Sequence, residues 1–227
     1  MQDAANRMPG HRAARRHVGH YPRVGVMALA LMTTWMPLTM VGEARQGVPD
    51  PCDFATGGGF VITDGGYKAN FGAHGGCKNG KFWGHVNYVD HATGYHVSST
   101  MITAYIAPFG PESPVRDICG LARTNRNDDP RPLYFRVRLS DNGEPGNLDQ
   151  FGIKLARNVA LEGEYPSFEE IYAVTPRDLS TAKPGAGNVE LHDANGPSSI
   201  PAYLEDEFAA CGGLTFDNGD GGGVIVD

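Results

Sequence analysis

Four histidines, His74, His85, His91 and His96, fall within a stretch of 23 residues, and imidazoles that converge on one sheet face bind Zn2+ or Cu2+. A metal-dependent or hydrolytic enzyme would centre on His85, His91 and His96, and a hydrolase would need a triad such as Asp90, His91 and Ser98 or Ser99. Ordinary packing competes with that reading. His85 shares strand parity with Trp83, and Asp90-His91 reads as a turn pair whose side chains cap backbone groups. No serine occupies a strained G-x-S-x-G elbow, so the balance falls against catalysis.

Asp141, Asn142, Glu144, Asn147 and Asp149 form a second concentration of ligand-type side chains. Hard oxygens spaced along a loop wrap calcium. The same residues serve tight turns, with Asn142-Gly143 making one and Pro145-Gly146 another, and the turn reading is preferred. Aromatic residues make the third group: Tyr67, Phe82, Trp83, Tyr88, Tyr95, Tyr105 and Tyr134. Rings that face solvent from a sheet stack on sugar C–H faces, while the alternative fate is the core. Tyr134, Arg136 and Arg138 share the parity opposite the apolar residues of their strand and are, with Trp83, the expected contacts to an extracellular glycan or protein.

These side chains have to be positioned by short strands. Leu133, Phe135, Val137 and Leu139 alternate with Tyr134, Arg136 and Arg138, a period of two that places the two sets on opposite faces. Phe151, Ile153 and Leu155 repeat it, and Val189 with Leu191 offer a closing strand. Phe60–Thr63 and Tyr67–Phe71 flank Asp64-Gly65-Gly66 as a hairpin. Lys81–Val89 and Tyr95–Ile106 follow, the latter long enough to bend. Pro108–Pro132 reads as a loop, and Leu161–Gly187 as a loop with a short helix near Phe168–Tyr172. The expectation is an all-β, antiparallel β-sandwich over 54–192, with loop insertions at 108–132 and 161–187 and a partly disordered extension at 193–227.

The 227 residues include 31 Gly and 16 Pro, which favours turns and short strands over helices. Residues 1–44 read as a signal peptide: five arginines precede an uncharged apolar run, Val24–Val41, and Gly42 and Ala44 supply small residues for cleavage after Ala44. A linker spans 45–53, and no stable membrane span remains once the leader is removed. Of 19 basic and 26 acidic residues, five and two lie in the leader, leaving 14 against 24. That surface repels phosphate backbones, so nucleic acid is excluded as a partner. Four cysteines in an exported chain imply two disulfides. The expected pairs are Cys77 with Cys119, joining two loops, and Cys52 with Cys211, tying the ends.

Gly57–Ile62, Lys68–Gly72, Asn87–His91, Ser140–Gly146 and Asn188–His192 occur in an order that resembles the post-COAP domain, a family of exported bacterial β domains found near choice-of-anchor modules. The resemblance covers about residues 54–192. It implies a small exported β domain and brings no catalytic residues with it. The expected function is a secreted, cell-surface or periplasmic module for binding, adhesion or assembly.

Overall fold

The computed structural model describes residues 47–129, 132–146, 148–179 and 186–217. The leader, the first two residues of the linker, Asn147 and everything beyond Asp217 lie outside these limits. Among the described residues no helix is long and apolar enough to cross a membrane.

The described residues form nine strands: β1 (Phe54–Ile62), β2 (Lys68–Lys78), β3 (Lys81–Asp90), β4 (Tyr95–Ile106), β5 (Val115–Thr124), β6 (Leu133–Ser140), β7 (Gln150–Asn158), β8 (Phe168–Asp178) and β9 (Gly187–His192). They make one antiparallel sheet in the order β8-β7-β6-β5-β4-β3-β2-β1-β9. The all-β class is as expected. One curled sheet supplies both layers of the interior, because β2 and β3 fold over β7 and β8. Phe71 stacks on Phe151 at 3.9 Å between ring centres, and the Tyr88 hydroxyl meets that of Tyr172 at 2.6 Å. Inward residues of β6 alternate as their spacing demands, with Leu133, Phe135, Val137 and Leu139 all buried.

Both supposed insertions carry a strand. Pro108–Pro132 contains β5, which lies centrally between β4 and β6. Its pattern hides because both faces are covered: Arg116 and Asp117 are buried, and Gly120 meets the Phe135 ring so closely that a Cβ there would lie 2.7 Å from it. The stretch near Phe168–Tyr172 is the start of strand β8 and not a helix. Its pairing with β7 is broken by register shifts, and a bulge spoils a strict period of two.

The disulfides also depart from expectation. Cys52 pairs with Cys77 and Cys119 with Cys211. Cys52 and Cys77 flank the β1–β2 ladder, where Phe54 stands opposite Gly76, so they are neighbours across a hairpin. Cys119 lies mid-β5 on the outer face, and Cys211 follows a one-turn helix, α1 (Glu207–Ala210), in the C-terminal extension. The described part of that extension, up to Asp217, is packed down as a strap. Ala202, Cys211, Leu214 and Phe216 are buried, and the Thr103 hydroxyl donates to the Ala210 carbonyl at 2.5 Å.

The strap corrects the expected exposure of the β6 arginines. Their parity is as read, but Arg136 and Arg138 are only 3% and 5% exposed, since the outer face here is roofed. Asp117, fully buried, accepts from Arg136 Nε and Nη2 and from Arg138 Nε and Nη2 at 2.6–2.8 Å. Arg136 Nη1 donates to the Leu214 carbonyl, and Phe216 lies 4.9 Å from the Arg138 guanidinium. The half-buried Tyr134 meets Phe168 edge-on at 5.0 Å and lies directly beneath Gly212. None of the three presents a free binding surface.

Candidate functional site

The outer face of β9-β1-β2-β3 is not roofed, and two rows of side chains cross it at right angles to the strands. Strand register sets the first row as Glu190, Thr56, His74 and His85, and the second as Asn188, Gly58, Gly72 and Asn87. Both rows line a single trough of about 520 Å3. Its floor is low because Gly58 and Gly72 stand opposite each other with bare backbone. A Cβ built on Gly72 meets nothing within 4 Å, and one on Gly58 meets only the Phe71 carbonyl at 3.8 Å. Neither glycine has a positive φ.

The walls are amides, a hydroxyl and imidazoles. His85 is pinned at both nitrogens: Asn87 Nδ2 donates to Nε2 at 2.8 Å, and Nδ1 meets Ser99 Oγ at 3.0 Å. The Val86 amide also donates to Ser99 Oγ, at 2.9 Å. With Nε2 accepting, the ring proton sits on Nδ1 and Ser99 accepts twice, so the imidazole is not placed to take the serine proton. His74 stands opposite His85, with ring centres 6.3 Å apart. Burial, and secondly the neighbouring His85, hold its pKa below the ordinary 6.5. His74 is therefore a neutral imidazole near pH 7, with one donor and one acceptor.

A third row bounds the trough beyond Glu190 and His85. His192 stacks on Phe54 at 4.3 Å, and Phe54 tilts against Trp83 at 5.9 Å. Thr56 Oγ1 meets His192 Nε2 at 2.9 Å, which ties this aromatic shelf to the first row. Trp83 thus lies beside the trough, away from the other residues expected to bind with it.

The remaining expected sites disperse. His96 stands opposite Val89, four residues from His85 along β3, or about 13 Å at strand rise. His91 follows the end of β3 and meets Asn70 Oδ1 at 2.7 Å. The expected His85, His91 and His96 centre is not assembled, and among the described residues no group of three His, Cys, Asp or Glu side chains is arranged to hold a metal. Asp90 accepts from the Ala92 amide and the Thr93 hydroxyl, as a turn residue does.

The acidic loop between β6 and β7 uses its oxygens on backbone. Asp149 accepts from the Asn142 amide through Oδ1 and from the Val189 amide through Oδ2, at 2.8 and 2.7 Å. Asp141 accepts from the Gly143 and Leu191 amides, and Asn142 Nδ2 donates to the Leu148 carbonyl. Glu144 sits in the turn and Asn147 lies outside the described residues. Val189 and Leu191 belong to β9, the edge of the sheet, so two carboxylates stand in for a missing neighbouring strand. Gly146, at φ +76°, lets this loop approach the trough: a Cβ there would fall 2.0 Å from Asn188 Oδ1.

Thr56, Gly58, Gly72, Asn188 and Glu190 were not among the expected site residues. The available signal was the run Gly57-Gly58-Gly59 inside a strand, which marks a close approach to backbone. The fold and this face define a disulfide-bonded all-β domain with an open polar trough. Comparisons with protein-family models, with curated proteins and with solved structures return no match for the chain.

Proposed function

We propose that the chain is an exported, non-catalytic module for binding or assembly at the cell surface, and that the trough on β9-β1-β2-β3 is its contact surface. One observation carries the reading. Gly58 and Gly72 are glycines that neither φ nor packing requires, although glycine inside a strand is destabilising by roughly 0.5–1 kcal/mol relative to alanine. A floor kept bare at that cost suits a ligand that approaches the backbone. Two disulfides fit an oxidising compartment, and the basic, then apolar leader supports export. The resemblance to the post-COAP domain belongs to the same reading, and its segments fall mainly in β1, β2, β3 and β9 and in the loop after β6.

The test is co-sedimentation of the full exported chain with envelopes of the producing cell, comparing it with Gly72→Val. Valine enters open space on a strand that favours it. The melting temperature is expected to stay level or rise, while retention on envelopes falls at least tenfold. Equal retention of the two proteins removes the trough from the function.

A further inference from the structure

The chemistry of the trough narrows what it binds. Its two rows carry one carboxylate, Glu190, and no lysine or arginine, and the chain beyond residue 44 has 14 basic against 24 acidic residues. Phosphate, sulfate or uronate groups would find no counter-charge there. A peptide strand would need free backbone groups to pair with, but the backbone under the trough is already paired in the β9-β1, β1-β2 and β2-β3 ladders. What the walls offer instead is a set of groups that both donate and accept: the amides of Asn87 and Asn188, the hydroxyl of Thr56 and the neutral imidazole of His74. A polyol requires both in equal measure. Phe54, Trp83 and His192 add a row of packed aromatic rings one row away, an apolar flank of the kind that meets sugar C–H groups.

Resting on the trough as the contact surface, we infer that its occupant is an uncharged oligosaccharide. One ring packs against the Phe54 and Trp83 flank, and the next lies over Gly58 and Gly72, hydrogen-bonded by Asn87, Asn188 and His74. From Phe54 to Gly58 is four residues, about 13 Å of strand, which exceeds a single sugar ring. A monosaccharide therefore binds more weakly than an oligomer.

Trp83 provides the reporter. The chain has two tryptophans, and the other, Trp35, lies in the leader, so Trp35→Phe leaves Trp83 as the sole tryptophan. The protein is titrated with hexaoses of glucose, mannose and N-acetylglucosamine, with hexagalacturonate as the anionic arm and an unstructured peptide as the third. At least one uncharged hexaose is expected to shift Trp83 emission. Its affinity is expected to drop at least tenfold in Gly72→Val and in His74→Ala, both with an unchanged far-UV circular dichroism spectrum. Hexagalacturonate or the peptide as sole ligand, with Gly72→Val abolishing its binding, overturns the sugar assignment and leaves the trough reading standing. Hexaose binding unaffected by Gly58→Val and Gly72→Val places the sugar elsewhere and overturns both. Failure of every probe to bind up to millimolar concentration overturns the sugar assignment.

Discussion

At the scale of single residues, His74 and His85 face each other on adjacent strands and yet differ in role. His85 has both nitrogens engaged by Asn87 and Ser99, which fixes the ring as a wall. His74 has its pKa lowered, first by burial and then by His85. The folded state thus binds a proton at His74 less readily than the unfolded chain, and the stability it confers is present above about pH 6.5 and is lost as pH falls through the lower folded value. Thermal melts between pH 7.5 and 5 are expected to show a fall in melting temperature that is shallower in His74→Gln. Equal slopes for the two proteins would remove His74 from the acid response. Asp149 provides a second case, since its carboxylate is fully buried and satisfies two backbone amides. Asp149→Ala leaves both amides unpaired, and a loss of about 1–3 kcal/mol is expected in urea unfolding.

Among the elements, β6 and β7 were legible because one face of each meets the core and the other carries polar side chains, so hydrophobicity alternates visibly. β5 was not, because the strap buries its second face and its charged residues are satisfied by partners distant in sequence: Asp117 by β6, and Arg116 by Asp53 at 2.5 Å. The β6 arginines illustrate the same limit. Parity gave their face, but no local pattern tells that residues 201–216 return to cover it. The aromatic group divided similarly, with Tyr88, Tyr95 and Tyr105 in the core and Trp83 outside it. The trough was half legible: its histidines and Trp83 stand out by type, while pairing Gly58 with Gly72, and Asn188 with Asn87 across them, needs the register of four strands. The strap itself is testable. Replacing Cys119 and Cys211 together by serine opens a link with a sequence separation of 92, and a loss of about 2–4 kcal/mol is expected. Limited proteolysis then cuts between 201 and 216 while the nine-stranded remainder persists. Cleavage no faster than in the parent would mean that the strap is held by its packing and hydrogen bonds alone.

For the whole molecule, the two layers of the curled sheet are joined through the interior by the Tyr88–Tyr172 hydroxyl pair. Burial, with a smaller push from Asp90 and against the pull of the hydrogen bond to Tyr172, raises the Tyr88 phenol to about 12. A phenol whose folded pKa lies above its unfolded value near 10 supports the fold below that value and withdraws support as pH climbs towards 12. Alkaline unfolding is expected in that window, shifted upward in Tyr88→Phe. An unfolding midpoint unchanged by the substitution would show that the pair does not link the layers. The two crosslinks also differ in when synthesis makes them available. Cys52 and Cys77 lie 25 residues apart, so the first hairpin can be sealed soon after its second strand emerges. Cys119 has no native mate until residue 211 has been made. Until then this thiol has no native partner, whereas the Cys52–Cys77 link needs only the first two strands.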